Sequence, residues 1–248
     1  MYTLNIFYTK HEHYNAIIMT LKLFTILAFG IGLSFTSILK FALADSTNPL
    51  VASIGSKLYG LTAGEWTAKW WQWALSIPKS NSPFSDKTGQ NCGLNQNGPV
   101  WFLAGTTGGS QERTCTIPAG KAILFPIVNN ECSTAEYPAD KTESALRSCA
   151  TGFIDHTTTL QTSVDGINLN NLKQYRIQSP LFNFIFPKDN IYGVAPGPTQ
   201  AVSDGYWILL QPLSPGKHNI HFNGAVVDFT TTSTINFAED TMYHLTIT

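Results

Sequence analysis

Hydrophobic and polar positions follow a helical period in two windows and a strand period nearly everywhere else. In the first window Trp66, Trp70, Trp73 and Ile77 recur at three- and four-residue spacing, which at about 100° per residue puts them on one stripe. Trp71 and Leu75, with Ala68, fall near the opposite side, and only Glu65, Lys69 and Gln72 form a polar edge. Thr62-Ala-Gly-Glu65 reads as a capping box, in which the Thr hydroxyl and the Glu carboxylate satisfy each other's backbone amides. The pattern predicts a helix from Thr62 to about Ser76, stopped by Pro78. In the second window Asp140-Lys-Thr-Glu143 resembles another capping box. Leu146, Cys149/Ala150 and Phe153/Ile154 then repeat at helical spacing, predicting a helix to about Thr157.

The strand-like runs are short and separated by turn residues. They are PVWFLAG (99–105), RTCTI (113–117), KAILFPIV (121–128), QYRIQS (174–179), LFNFIF (181–186), YWILLQ (206–211), KHNIHF (217–222), AVVDF (225–229), TINF (234–237) and MYHLTI (242–247). LQTSVDGINL (160–169) predicts a hairpin turning at Asp165-Gly166. AGTTGG (104–109) reads as a hairpin loop rather than a phosphate cradle, because it joins two strands instead of opening a helix. Residues 79–98 read as a long surface loop, and Asp204-Gly205 as a turn ahead of a buried strand. About ten strands and two helices predict a mainly-β, two-sheet β-sandwich of jelly-roll or immunoglobulin-like type. AILFPIV and YWILLQ are apolar on both faces, so their sheet needs cover on each side. The Trp-rich helix is the available cover, and Trp71, off its main stripe, is the ring expected to stay free.

The N-terminus sets the domain organisation. Lys22 precedes an almost unbroken apolar run, Leu23 to Leu39, followed by Lys40-Phe-Ala42-Leu-Ala44. That is the pattern of a secretory signal peptide cleaved after Ala44. Residues 1–18 fit no signal-peptide head and read as a mis-assigned extension ahead of a start at Met19. The expected organisation is thus extension 1–18, signal 19–44, a polar leader 45–57 and a single domain 58–248. Left uncleaved, the run would be a membrane anchor, the chain's one route to a membrane. Export changes how the cysteines read. Cys92, Cys115, Cys132 and Cys149 are four thiols in a secreted chain, spaced too widely for zinc, and predict disulfides, with Cys92–Cys115 and Cys132–Cys149 the favoured pairs.

Charge narrows the partners. The chain carries 15 Lys+Arg against 16 Asp+Glu, a formal net charge of −1, with no basic run, which argues against nucleic-acid binding. Of the exported histidines, His156, His218, His221 and His244, the pair in KHNIHF is three apart and so points to opposite faces of a strand. No metal or cofactor is expected, a cupredoxin copper site included, since no Cys follows Cys149. Nucleophile-elbow, zinc-protease and nucleotide-loop patterns are absent. A glycosidase needs paired carboxylates, for which Glu131, Asp204 and Asp228 are the candidates. Asn129, Asn130 and Glu131, where an apolar strand runs into polar residues beside Cys132, form the most site-like cluster. For stacking on a sugar the candidates are Trp71, Trp101 and Trp207.

WTAKWWQW (66–73), GPVWFLAGTTGGSQERTCTIPAGKAILFPIVNNEC (98–132) and SDGYWILLQPLSPGKHNIHFNG (203–224) together resemble a family of exported bacterial and archaeal proteins of unassigned function. The resemblance spans most of residues 58–247, and it implies kinship without an activity to carry over. The leading expectation is an exported, secreted or cell-surface, non-catalytic sandwich that binds a ligand or partner in the cell envelope, with carbohydrate as the ligand class. The alternatives are a secreted glycan hydrolase using Glu131 and Asp204, and a structural envelope protein.

Overall fold

A strand buried on both faces needs two covering layers, and the two longest apolar runs of the chain receive them. The computed structural model describes residues 48–227 and 235–248. The extension, the signal segment, the first leader residues, and Asp228 with the Thr-rich run 228–234 lie outside the described residues. Helix α1 (Ala63–Ser76) precedes strands β1 (Val100–Phe102), β2 (Gly109–Ile117) and β3 (Ala122–Ser133), and helix α2 (Glu143–Ile154) follows them. Next come β4 (Thr157–Val164), β5 (Ile167–Asn168), β6 (Phe182–Phe186), β7 (Gly197–Leu210), β8 (Gly216–Val227) and β9 (Ile235–Ile247). A four-stranded sheet in the order β1-β3-β7-β6 packs on a five-stranded sheet in the order β2-β9-β8-β4-β5. The fold is a mainly-β, two-sheet sandwich.

Alternation along the central pair β3–β7 sorts the core. Leu124, Trp207 and Leu209 face α1 and join its tryptophans. Ile123, Phe125, Ile208 and Leu210 face the second sheet, where Phe125 stacks on Phe222 at 5.1 Å between ring centres. The Thr62 hydroxyl accepts from the Glu65 amide and the Glu65 carboxylate accepts from the Thr62 amide, so α1 starts at the expected box. Trp70 is fully buried and meets Trp207 edge-on at 5.2 Å. The indole N–H groups of Trp66, Trp70 and Trp73 donate to the carbonyls of Leu58, Leu103 and Leu94. These bonds remove the polar penalty of burying those rings.

Several local expectations are overridden by longer-range contacts. Asp204-Gly205 is no turn; it sits inside the 14-residue strand β7. Gly205 is there because it lies opposite Asn129, where an added Cβ would come within 2.7 Å of the Asn129 Cβ. The 104–109 segment is not a hairpin loop: β1 belongs to the first sheet and β2 to the second, paired in parallel with β3 and β9 respectively. Runs 217–222 and 225–227 fall on one strand, β8, as 235–237 and 242–247 do on β9, so nine strands form among the described residues. Residues 174–179 begin in a 3-10 turn (Leu172–Tyr175) and then run along β7, with the amides of Ile177 and Ser179 donating to Gly205 and Ser203. Helix α2 is capped by Thr142 rather than Asp140, and ends at Ile154. The leader is partly built into the domain: Val51 is buried and bridges Leu210, and the Ala52 amide donates to Leu209.

Disulfides Cys92–Cys115 and Cys132–Cys149 tie the 79–98 loop to β2 and helix α2 to β3. With no free cysteine left, they point to an oxidising compartment. Among the described residues no helix is long and apolar enough to cross a membrane. Near the start of β2, Arg113 is buried and donates to the carbonyls of Phe84, Asp86, Ala104 and Gly105 and to the Tyr243 hydroxyl.

Candidate functional site

The three tryptophans named for sugar stacking are interior residues. Trp71 is 3% exposed, Trp101 and Trp207 are buried as well, and none offers a flat face to solvent. Trp71 is covered by Phe84 of the 79–98 loop, 6.1 Å away between ring centres, and packs edge-on against Trp70 at 5.0 Å. The free ring expected at position 71 is therefore absent. Trp66 and Trp73 line a surface groove of about 420 Å³ with Lys69, Asn97 and Phe102, but both are buried.

Glu131 and Asp204 do not converge. Glu131 pairs with Ser203 across β3–β7, whereas Asp204 pairs with Asn130, the position next to Glu131. Successive side chains on a strand point to opposite faces, so the two carboxyls lie on opposite sides of the sheet. Asp204 is fully buried, and Arg176 donates to it through Nε at 3.2 Å and Nη2 at 2.7 Å. Gln178 and the Gly205 amide supply further donors. Every lone pair that matters is occupied, and Asp204 is a structural anchor. The opposed-carboxylate geometry of a glycosidase is not formed by this pair. Asn130 shares the Asp204 face and contacts the Cys132 sulfur at 3.8 Å.

The other face of the same strand pair holds a different arrangement. Asn129, Glu131 and Ser133 alternate toward α1 along β3, opposite Gly205, Ser203 and Ala201 of β7. Glu131 is 3% exposed, and neither of its oxygens has a hydrogen-bond partner other than the neighbouring Glu136 carboxyl. The Ser203 hydroxyl, fully buried directly across from it, has no partner, and nor does Asn129 Nδ2. The turn that follows β3 brings in two more groups. Ser133 Oγ donates to Glu136 Oε2 at 2.5 Å, and the Tyr137 amide donates to the Ser133 carbonyl. Thr199 of β7 holds the turn down, its Oγ1 accepting from the Ala135 amide. A loop after β6 contributes Tyr192. Asn190 braces that loop by donating to the carbonyls of Pro187 and Val194 and accepting from the Val194 amide.

Electrostatics mark this cluster. Burial, and then the neighbouring Glu136 carboxyl, push the Glu131 pKa well above the usual carboxylate range, which favours the neutral acid. The Tyr137 phenol is raised by burial and then by Glu136, Glu131 and Asp140. Tyr192 is raised well above its ordinary value by burial and then by Glu131, Glu136 and Tyr137. Tyr192 keeps 39% of its surface open and Tyr137 44%. The crowding that shifts Tyr192 is therefore at its hydroxyl end, while the rest of the ring borders solvent. The result is a polar cluster with a buried acid at its centre and two half-exposed tyrosines beside it.

Glu131 and Asn129 were visible in sequence as a polar cluster at the end of an apolar strand. Ser203, Glu136, Tyr137 and Tyr192 were not, because they come from three other segments whose register is set by tertiary pairing. Elsewhere the histidines are satisfied surface groups: His218, His221 and His244 bond Asp165, Asp240 and Glu112 at 2.7, 2.7 and 2.6 Å. Among the described residues no three His, Cys, Asp or Glu side chains converge as metal ligands. No protein-family model, no functionally described protein and no solved structure matches the chain.

Proposed function

We propose that this chain is an exported, non-catalytic β-sandwich that binds a ligand or partner of the cell envelope at the polar cluster around Glu131, with a carbohydrate as the first ligand class. One observation carries the reading: Asn129 Nδ2, both Glu131 oxygens and Ser203 Oγ are buried on one sheet face, with no partner among them but the Glu136 carboxyl beside Glu131. An unpaired buried polar group costs roughly 1–3 kcal/mol, and such groups are retained where something else needs them. Ligand hydroxyls would both donate to and accept from this set. The half-exposed Tyr137 and Tyr192 offer the aromatic surface that the buried tryptophans do not.

The full chain, screened on a glycan array together with a Ser203→Val variant, tests the proposal. Val puts a methyl in place of the unpartnered hydroxyl and adds a second one, so thermal stability should change little, the lost desolvation cost offsetting the added bulk, while ligand binding weakens at least ten-fold. Binding that survives Ser203→Val unchanged, or no binding by the folded chain, would refute it.

A second reading, glycan hydrolysis, keeps one supporting observation. A buried carboxyl held neutral beside another carboxyl has the character of a general acid. It would use Glu131 with Glu136, since Asp204 is committed to Arg176. Release of reducing ends from a bound glycan, lost in Glu131→Gln, would favour it over simple binding.

A further inference from the structure

Strands β2, β9 and β8 are neighbours in the second sheet, and their register sets outward side chains in two rows on its open face. Thr114, His244 and Asn219 make one row; Thr116, Thr246 and Lys217 make the other. With strands about 4.8 Å apart and rows about 7 Å apart, this floor measures about 10 Å by 7 Å, enough for one sugar-sized ring. All six residues line a groove of about 440 Å³. Its wall is the 86–92 loop, which is firmly held. The two Asp86 carboxylate oxygens accept from the amides of Thr88, Gly89 and Asn91. The Thr114 amide donates to the Thr88 carbonyl, and the Cys92–Cys115 disulfide fixes the end of the loop to β2. Gly89 lies so close to β2 that a Cβ there would stand 2.0 Å from the Thr114 carbonyl oxygen. Wall and floor are thus preformed, which spares a ligand the cost of ordering them.

We infer that this groove binds the oxyanion of a hydroxyl-rich ligand, with Lys217 as the cation that selects it. The site lies apart from the cluster around Glu131 and does not depend on it. No Asp or Glu lines the groove. Lys217 is exposed, and among the described residues it has no carboxylate within salt-bridge distance. Its ammonium donates to Thr246 Oγ1 at 3.1 Å, which leaves further N–H donors for a ligand. The carboxylates bonded to lining residues are already engaged by histidines. Glu112 is 2.6 Å from His244 Nε2, and Asp165 is 2.7 Å from His218 Nδ1. His218 Nε2 also meets the Ser214 carbonyl at 2.9 Å, so both ring nitrogens face oxygen and the ring is held as the imidazolium. Burial lowers the His218 pKa, but the Asp165 carboxylate and the Ser214 carbonyl outweigh it and raise the value. With Asp165 opposing that charge, Lys217 is the unopposed cation of the groove. Gln90, Thr116 and Asn219 supply amide and hydroxyl groups for the hydroxyls of the ligand. No Phe, Tyr or Trp lines the groove, so a neutral sugar would find no ring to stack on.

Calorimetry on the full chain at neutral pH tests this, with a galacturonic acid tetramer, glucose 6-phosphate and a neutral galactose tetramer as probes. At least one anionic probe should bind ten-fold or more tighter than the neutral tetramer, and the one that does identifies the oxyanion as carboxylate or phosphate. Raising the salt to about 0.5 M should weaken that binding several-fold, because an exposed charge contact is screened. Lys217→Gln should abolish the preference and Lys217→Arg should retain it, neither moving the thermal midpoint, since the position is exposed. Ser203→Val, at the other site, should leave the preference unchanged. Equal binding of charged and neutral probes, or failure of both anionic ones, overturns the inference. A preference that survives Lys217→Gln also overturns it, by placing the anion elsewhere on the chain. So does one lost in Ser203→Val, which would move the anion to the cluster around Glu131.

Discussion

Glu239 on β9 is expected to make the fold weaker as pH rises, and Glu239→Gln should remove that weakness. The Glu239 carboxyl is buried, accepts from the Thr106 amide at 2.9 Å, and fits only because residue 105 is glycine: a Cβ there would stand 1.8 Å from Oε2. Burial raises its pKa from 4.5 to about 8, against the smaller opposing effects of the Thr106 amide and the Arg113 charge. In the unfolded chain the group ionises near 4.5. Between pH 4.5 and about 8 the unfolded state has therefore released a proton that the folded state keeps. The contribution of Glu239 to stability is full below pH 4.5 and is lost as pH climbs through about 8. At about 1.4 kcal/mol per pH unit the whole loss is about 5 kcal/mol, of which about 2 kcal/mol is gone by pH 6.

The Glu239→Gln side chain keeps a carbonyl oxygen for Thr106 and cannot ionise. Urea unfolding of both chains at intervals from pH 5 to 8.5 should show the variant gaining about 4 kcal/mol on the parent across that range. Glu131, also raised, adds a slope of the same sign to both chains and cancels in the difference. Parallel curves would refute the reasoning. They would mean that Arg113, which has no carboxylate within salt-bridge distance among the described residues, holds Glu239 ionised in the fold after all.

Three further perturbations follow from the structure. Thr62→Ala removes the capping box that starts α1 and should cost about 1 kcal/mol in chemical denaturation; an unchanged midpoint would show that the Trp contacts alone fix the helix start. Replacing Cys132 and Cys149 together by Ser opens a link with a sequence separation of 17 residues, which should cost about 3 kcal/mol and lower the thermal midpoint while leaving far-UV circular dichroism unchanged. Gly205→Ala puts a Cβ within 2.8 Å of both the Asn129 Cα and the Val128 carbonyl oxygen. It should destabilise the β3–β7 pair by about 1–3 kcal/mol, measured by urea midpoint, and an unaffected midpoint would contradict the crowding argument.

What was legible in the sequence was what local pattern controls. The α1 cap is a four-residue motif, and the both-face hydrophobicity of residues 122–128 and 206–210 demanded a covering layer that the tryptophans supply. Trp71 was misjudged because its cover, Phe84, comes from an irregular loop, and no periodicity announces which loop residue will close over a ring. Asp204-Gly205 was misread as a turn for a related reason. The dipeptide has turn chemistry, but crowding by Asn129 across the sheet and the Arg176 charge below it decide its conformation. Both deciding residues lie far away in sequence.

The same non-locality explains where the polar cluster sits. Along β3 the positions facing α1 change from Leu124 and Pro126 to Asn129, Glu131 and Ser133, and along β7 from Leu209 and Trp207 to Gly205 and Ser203. The apolar halves pack against the tryptophans of α1, with Trp70 on Trp207. The polar halves instead meet the turn carrying Glu136 and Tyr137 and the loop carrying Tyr192. A sandwich optimised only for stability would continue the apolar stripe, since Val or Leu at 131 and 203 would bury without the roughly 1–3 kcal/mol that each unpartnered polar group costs. Functional sites are where natural sequences depart from such local consistency. The departure at Asn129, Glu131 and Ser203 lies on one face of two paired strands, next to a face where an equally buried carboxylate is fully partnered. That contrast within a single strand pair is the physical reason for proposing a binding site near Glu131 rather than at the tryptophans.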